Sequence, residues 1–392
     1  MRIKYYLAII ALFLVDCSSN IPESPLKPQE VSPSNEINEV SSKDSFEGVQ
    51  FFMDGMMFFE QGDYARAILE FQEAIEVGSN SAEVIFNMSE AYWMLQKYDK
   101  SIFYAKRAID LDGNAKDYKI SLGKKYIALN DYKSSLDIFN KIIQIDPNNA
   151  DILFIIGDLK AELNDVDGAL LYYQEAYNKN NELILALEVA VQLAYNSKHR
   201  DLSKLFKKLL LTDPSNSEYL RGYLESFDGG NIDELLELLS MKSIQANPFY
   251  NNLYNQIGLE YIRLGRFDFA EEYLKKSLLK KENDRFALYY LSLVYRDLGR
   301  NDLALEISKK HIFYYPNDKE GYMNSSLSLI SLQRYAEAIE ELKIAVSLFP
   351  DDFEINYFLG LASYSNKSFE DAEIFYSKSL LIDQNSVAAM HG

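Results

Sequence analysis

Three histidines, His199, His311 and His391, are the side chains best suited to move protons or hold a metal near neutral pH. They lie far apart in the chain, and none has a carboxylate or cysteine at ligand spacing. Neither a metal site nor a histidine-based triad is therefore expected. His199 and His311 fall within helical stretches and read as structural. The one cysteine, Cys17, excludes an intrachain disulfide and leaves no thiol for catalysis. Asp110-Leu-Asp112-Gly-Asn114 opens like a calcium loop, but Ala115 stands where that loop turns on glycine and Ser121 where it needs its bidentate acid. It reads as a turn. So does Gly229-Gly230, which is not part of a phosphate loop. No enzyme activity and no cofactor are expected. The chemistry left is modification of Cys17 and recognition by a surface.

Arg2 and Lys4 precede an apolar run from Tyr5 to Val15. Such a run is too short for a settled transmembrane helix and fits an export signal. Leu14-Val15-Asp16-Cys17 resembles the lipobox of bacterial lipoproteins, whose cysteine becomes the lipid-modified first residue; Asp16 departs from the small residue usual before it. The resemblance implies a signal peptide over 1–17, lipidation of Cys17, and export to the cell envelope as a membrane-anchored lipoprotein on the periplasmic or surface side. An ordinary cleaved signal, or an uncleaved anchor with an incidental cysteine, is the alternative. Residues 18–45 carry Pro22, Pro25, Pro28 and Pro33 and almost no apolar period, so they read as a flexible tether.

The elements that would position a recognition surface begin at Phe46. With 59 acidic against 40 basic residues and a net charge of −19, the chain lacks the basic surface that nucleic acid requires. The balance suits a solvated acidic exterior, or attraction to a basic partner. A pattern of period 34 places Gly258, Ser292, Ser326 and Gly360 at the eighth position of successive units, and Gly55, Ser89, Gly123 and Gly157 in an earlier block. The twentieth position is also small: Ala67, Ser101, Ser135 and Ala169, then Ala270, Ala304, Ala338 and Ala372. Small residues at both positions let two helices approach closely. Aromatics at positions eleven, seventeen and twenty-four, such as Tyr261, Phe267 and Phe139, are expected to fill the space between one unit and the next. Each unit is a helix-turn-helix that buries its apolar face only by stacking.

These offsets resemble the tetratricopeptide repeat, most clearly in Asn251 to Asp284 and in Lys116 to Asn149. The resemblance implies an all-α solenoid of about ten repeats wound as a right-handed superhelix. Four repeats occupy 48–182, two degenerate ones 183–250, and four more 251–386. In this family positions two, five, nine and twelve point into a concave groove. Here they supply Val49, Phe52, Met56 and Phe59, then Glu83, Phe86, Glu90 and Trp93. Phe154, Asp158, Phe286, Tyr289, Met323, Tyr357 and Tyr364 follow at the same offsets. The lining implied for a partner is thus Phe52, Met56, Phe59, Phe86, Glu90, Trp93, Tyr289, Tyr357 and Tyr364. An aromatic and acidic groove suits a protein or peptide with apolar anchors and some basic residues. Packing against neighbouring first helices is the plainer reading of each residue, and Trp93, the sole tryptophan, is where binding is favoured. Phe52, Met56, Phe86 and Glu90 replace the Lys and Asn of the subgroup that grips acidic chaperone tails, which disfavours that function.

The resulting expectation is a non-enzymatic interaction scaffold tethered in the envelope. A structural self-assembly module is the alternative. Only Val387 to Gly392 follow the last unit at Ser386, so homo-oligomer contacts through an uncapped end are conceivable. Unit packing is expected to be loosest over Leu183 to Tyr250, where Ala190, Leu224, Leu202 and Leu236 replace the small residues.

Overall fold

The computed structural model describes residues 42–229 and 231–382. Residues 1–17, Cys17 with them, most of the 18–45 stretch, Gly230, Ser386 and His391 lie outside the described residues. Among the described residues the elements are twenty α-helices and no strand. They divide into two compact bodies, one ending at His199 and the other starting at Arg200.

The first body pairs α1 (Ser42–Glu60) with α2 (Tyr64–Glu76), α3 (Ala82–Met94) with α4 (Tyr98–Leu111), α5 (Lys116–Ala128) with α6 (Tyr132–Ile145), and α7 (Ala150–Glu162) with α8 (Val166–Lys179), and ends on α9 (Ile184–Ser197). The second body holds α10 (Leu202–Thr212), α11 (Ser217–Ser226) and α12 (Ile232–Ser240). It continues with the pairs α13 (Tyr250–Arg263) and α14 (Phe267–Lys280), α15 (Arg285–Asp297) and α16 (Asn301–Tyr314), α17 (Lys319–Ser331) and α18 (Tyr335–Leu348), and α19 (Phe353–Ser365) and α20 (Phe369–Ile382). Helix α1 thus begins at Ser42, four residues ahead of the Phe46 at which the helical body was expected to open.

Within a unit the two helices meet at the small positions. Ala67, Ser101, Ser135, Ala169, Ala270, Ala304 and Ala338 are fully buried. The glycine at position eight faces a ring of its own unit: a Cβ on Gly55 would lie 2.6 Å from Phe71, on Gly123 2.7 Å from Phe139, and on Gly157 2.7 Å from Tyr173. The ring at position twenty-four also joins the next unit, as expected: Phe71 clusters with Val84 and Met88, and Phe139 with Ile152 and Ile156. It lies over the glycine sixteen residues earlier, because only there does a missing side chain leave room for it. Where position eight is Ser89, position twenty-four shrinks to Ala105, and the Ser89 hydroxyl donates to the Ser101 carbonyl at 2.8 Å.

The turn between paired helices is set at position fifteen. Gly62, Gly265 and Gly299 hold positive φ there, and so do Gln96, Asn130, Asn164, Lys198, Gln333 and Lys367. A left-handed residue ends the first helix and turns the chain into the second. In α2, α6 and α8 the next residue, Asp63, Asp131 or Asp165, caps the second helix with its carboxylate.

The first helices α3, α5, α7 and α9 start at residues spaced by 34, so the fifth unit starts at Ile184 and not Leu183. The one missing residue falls after the left-handed Lys198, where α10 begins late at Leu202. Helices α11 and α12 are short because Phe227-Asp-Gly229, with Gly229 at φ +86°, breaks the first. Leu220, Leu235, Leu238 and Ile244 are fully buried there, but α11 and α12 touch each other far less than the paired helices of the regular units do, as the loose packing expected of this stretch requires. The turn after α12 is closed by buried Asn247, whose amide donates to the Pro214 and Asn216 carbonyls at 2.9 and 3.0 Å.

Candidate functional site

The first helices of each unit carry the residues expected to contact a partner. In the first body the Phe52 ring turns toward Phe71 at 5.9 Å between centroids, and Phe59 meets Tyr64 edge-on at 5.2 Å. Phe52, Met56 and Phe59 are half-buried and pack against the cluster around Phe71 and Met88. Trp93 is half-buried too, but its ring meets Tyr98 at 4.7 Å and lies 5.9 Å from the Lys125 ammonium. Phe86 stacks on Tyr118 at 4.4 Å, with the same ammonium 5.8 Å from its ring. Phe86, Trp93, Tyr118 and Lys125 thus form one patch, and Phe52, Met56 and Phe59 another. The ring contacts set Trp93 beside the neighbouring unit's lysine.

Glu90, expected as an exposed acidic contact, is engaged. Its Oε1 accepts from the Lys125 ammonium at 2.8 Å and from the Ser121 hydroxyl at 2.7 Å. Lys125 also donates to the Ser89 hydroxyl at 2.7 Å, and only 4% of its side chain is exposed. Burial pulls the Lys125 pKa down, and the Glu90 charge opposes that pull. A charge taken out of water needs such a partner. Asp158, at the same ninth position two units on, is buried under Tyr173, whose phenol donates to it at 2.7 Å. Burial pushes its pKa up to about 7, against the Tyr173 hydrogen bond and with the help of Glu162. Phe154 and Asp158 therefore belong to the core of the first body, because α8 covers them. Neither Lys125 nor Tyr118 was singled out from sequence; the signal would have been Glu90 and Lys125 at facing positions of consecutive first helices.

In the second body Tyr289 and Tyr357 are half-buried and Tyr364 is exposed. Tyr289 meets Tyr290 edge-on at 4.8 Å, Tyr357 stacks on Phe353 at 6.2 Å, and Tyr364 meets Phe369 at 5.6 Å. Met323 is buried by α18 and contributes to the core. The aspartates that cap α15, α17 and α19 join successive units. Asp284 Oδ2 accepts from Asn251 at 3.1 Å, Asp318 Oδ2 from Arg285 at 2.5 Å, and Asp352 Oδ2 from Lys319 at 2.9 Å.

Both described histidines face aspartates, which sequence spacing had hidden. His199 Nε2 lies 2.9 Å from Asp167 and His311 Nε2 2.9 Å from Asp318. Burial lowers the His311 pKa although Asp318 opposes it. Among the described residues no three or more histidines, cysteines or acids gather as a metal site would require. At the Asp110–Asn114 stretch, Asp112 Oδ1 accepts from the Asn114 amide at 3.0 Å, the geometry of a turn.

Several solved structures are similar to this chain. MamA (41-end) from Desulfovibrio magneticus RS-1 is 15% identical with a TM-score of 0.37, over 43% of this chain and 97% of that one. The Cut9–Hcn1 hetero-tetramer of the APC/C is 19% identical with a TM-score of 0.39, over 88% and 75%. A tetratricopeptide repeat protein from Parabacteroides merdae is 15% identical with a TM-score of 0.38, over 64% and 99%. No curated protein matches the chain. The family model of the tetratricopeptide repeat matches residues 53–116, 120–182, 255–318 and 325–387, four stretches that each take in two of the units built above. Together these cover more than half of the sequence, and the chain belongs to the tetratricopeptide repeat family.

Proposed function

We propose that this protein is an interaction scaffold that takes a peptide or protein partner on the aromatic face of its first helices, and that Cys17 anchors it by lipid in the cell envelope. Members of the tetratricopeptide repeat family bind protein partners, which supports the general role. One observation carries the assignment of the face. The side chains of positions twenty and twenty-four are sealed in the core, whereas Phe86, Trp93, Tyr289 and Tyr357 remain half-buried on the other side of the same units. Half-open aromatic rows of this kind supply binding energy when a partner completes their burial. The anchor reading rests on the charged and apolar lead-in to the chain's one cysteine.

Site-specific photo-crosslinking in cells tests the face. A benzoylphenylalanine at position 93, 289 or 364 should give a discrete adduct, whereas one at the exposed Leu279 or Phe313 on the second helices should not. Adducts only from the second helices would transfer the binding surface there. In the same strain, an alkyne fatty acid should label the wild-type protein and not Cys17→Ser. Equal labelling of the two would remove the lipid anchor.

A further inference from the structure

Where α15 meets the start of α17 in the second body, Phe286, Tyr289, Tyr290 and Glu320 line a cavity of about 460 Å³. That is the size of a small-ligand pocket. Its rear wall is Arg285, Asp318 and His311. That wall is internally satisfied: Asp318 Oδ2 accepts from Arg285 Nε at 2.5 Å and from His311 Nε2 at 2.9 Å. The arginine and the aspartate pair with each other, and burial disfavours a charge on the imidazole.

Glu320 is half-buried, whereas Glu83, Asp117 and Asp151 at the same position of earlier first helices are exposed. Among the described residues the Glu320 carboxylate has no hydrogen bond and no ion pair. Glu90 has Lys125, and Glu354 has Lys319 at 3.2 Å. Lys319, the cation next to Glu320 in sequence, donates to Asp352 at 2.9 Å and to Glu354, and so is already shared between two acids. Burial raises the Glu320 pKa, Lys319 counters this, and Glu354, Asp318 and Asp352 add to it. A half-buried carboxylate whose neighbouring cations, Lys319 and Arg285, are hydrogen-bonded to other acids costs free energy that a cationic ligand would return. The three rings beside it are set at angles, Phe286 to Tyr290 at 4.3 Å and Tyr289 to Tyr290 at 4.8 Å, and ring faces attract cations.

We infer that this cavity is the specificity pocket of the partner-binding face and receives a cationic side chain, a lysine ammonium or an arginine guanidinium, paired with Glu320 and enclosed by Phe286, Tyr289 and Tyr290. The inference rests on the first-helix face being the binding face, since Phe286, Tyr289 and Glu320 occupy groove positions of consecutive units.

The site can be probed without knowing the partner. The full chain, carrying 13C-labelled tyrosine, is titrated with n-butylammonium, the isolated end of a lysine, and separately with n-butanol and n-butyrate. Resonances of Tyr289 and Tyr290, assigned from Tyr289→Phe and Tyr290→Phe, should shift saturably with n-butylammonium and not with the other two. Glu320→Gln, which keeps the size of the side chain, should weaken that binding by about 5- to 10-fold, the scale of one charge contact in a partly desolvated aromatic site. No saturable shift, a shift indifferent to Glu320→Gln, or preference for n-butyrate through Arg285 would each overturn the assignment. The crosslinking above reads the face independently, so loss of the cation pocket and loss of the binding face give different results.

Discussion

Asp158 is a carboxyl buried under a tyrosine, and its burial couples folding to pH. With a folded-state pKa of about 7 and an ordinary unfolded value near 4, it is protonated when folded and ionised when unfolded between those limits. Its contribution is complete below the unfolded pKa and is lost as pH rises through the folded one. Wild type should lose about 2 kcal/mol through this group between roughly pH 5 and pH 7. Asp158→Asn, neutral at every pH and able to accept from Tyr173, should remove that slope, so its advantage over wild type grows toward pH 8. Parallel stability profiles of the two proteins would show that Asp158 is ionised in the fold. Asp318 has the opposite sign. Burial works against its ionisation, but hydrogen bonds from Arg285 and His311 outweigh that and hold its pKa below the usual carboxylate value. What it contributes is present above the unfolded pKa and is lost as pH falls through the folded one.

The paired helices depend on one close approach in each unit. Gly123→Ala would put a methyl 2.7 Å from the fully buried Phe139 ring, and overpacking of this kind costs about 1–3 kcal/mol. Adding Phe139→Leu, a smaller and more adaptable side chain, should recover part of the loss, so the double variant is less destabilised than the sum of the two single changes. Urea denaturation of the four proteins measures this coupling, and strict additivity would mean the two positions do not touch. The small positions were legible in the sequence because their period is regular. Their partner was not, because spacing alone does not say which side chain of the second helix lies over the glycine. The left-handed residues at position fifteen were legible only as glycine, at Gly62 and Gly265. Gln96 and Lys367 carry no local signature for that conformation, and the fold imposes it on them. On the first-helix face, the aromatic row could be read from the repeat offsets. The engagement of Glu90 by Lys125, the burial of Asp158 and the unpaired state of Glu320 could not, because each depends on which neighbour faces it across consecutive helices.

At the scale of the molecule, stability in a repeat array is a sum of local interfaces, so distant units need not unfold together. The chain has one tryptophan, and Trp93 lies in the first body. Its emission reports that body alone, while far-UV circular dichroism reports helices of both. In urea the two signals should give transitions with different midpoints; coincident curves would show one cooperative unit and contradict the additive picture. The formal charge of −19 acts across the whole surface and would favour association with the cationic partner proposed above.

The matched volumes inside some units also bear on how such a chain can change by descent. Glycine faces a ring in Gly55–Phe71 and Gly157–Tyr173, whereas Ser89 is paired with the methyl of Ala105. A lineage that enlarges one member must first or soon after reduce the other, so these two sites are expected to drift as linked pairs. Duplication or exchange of an entire unit carries both members at once and escapes that constraint.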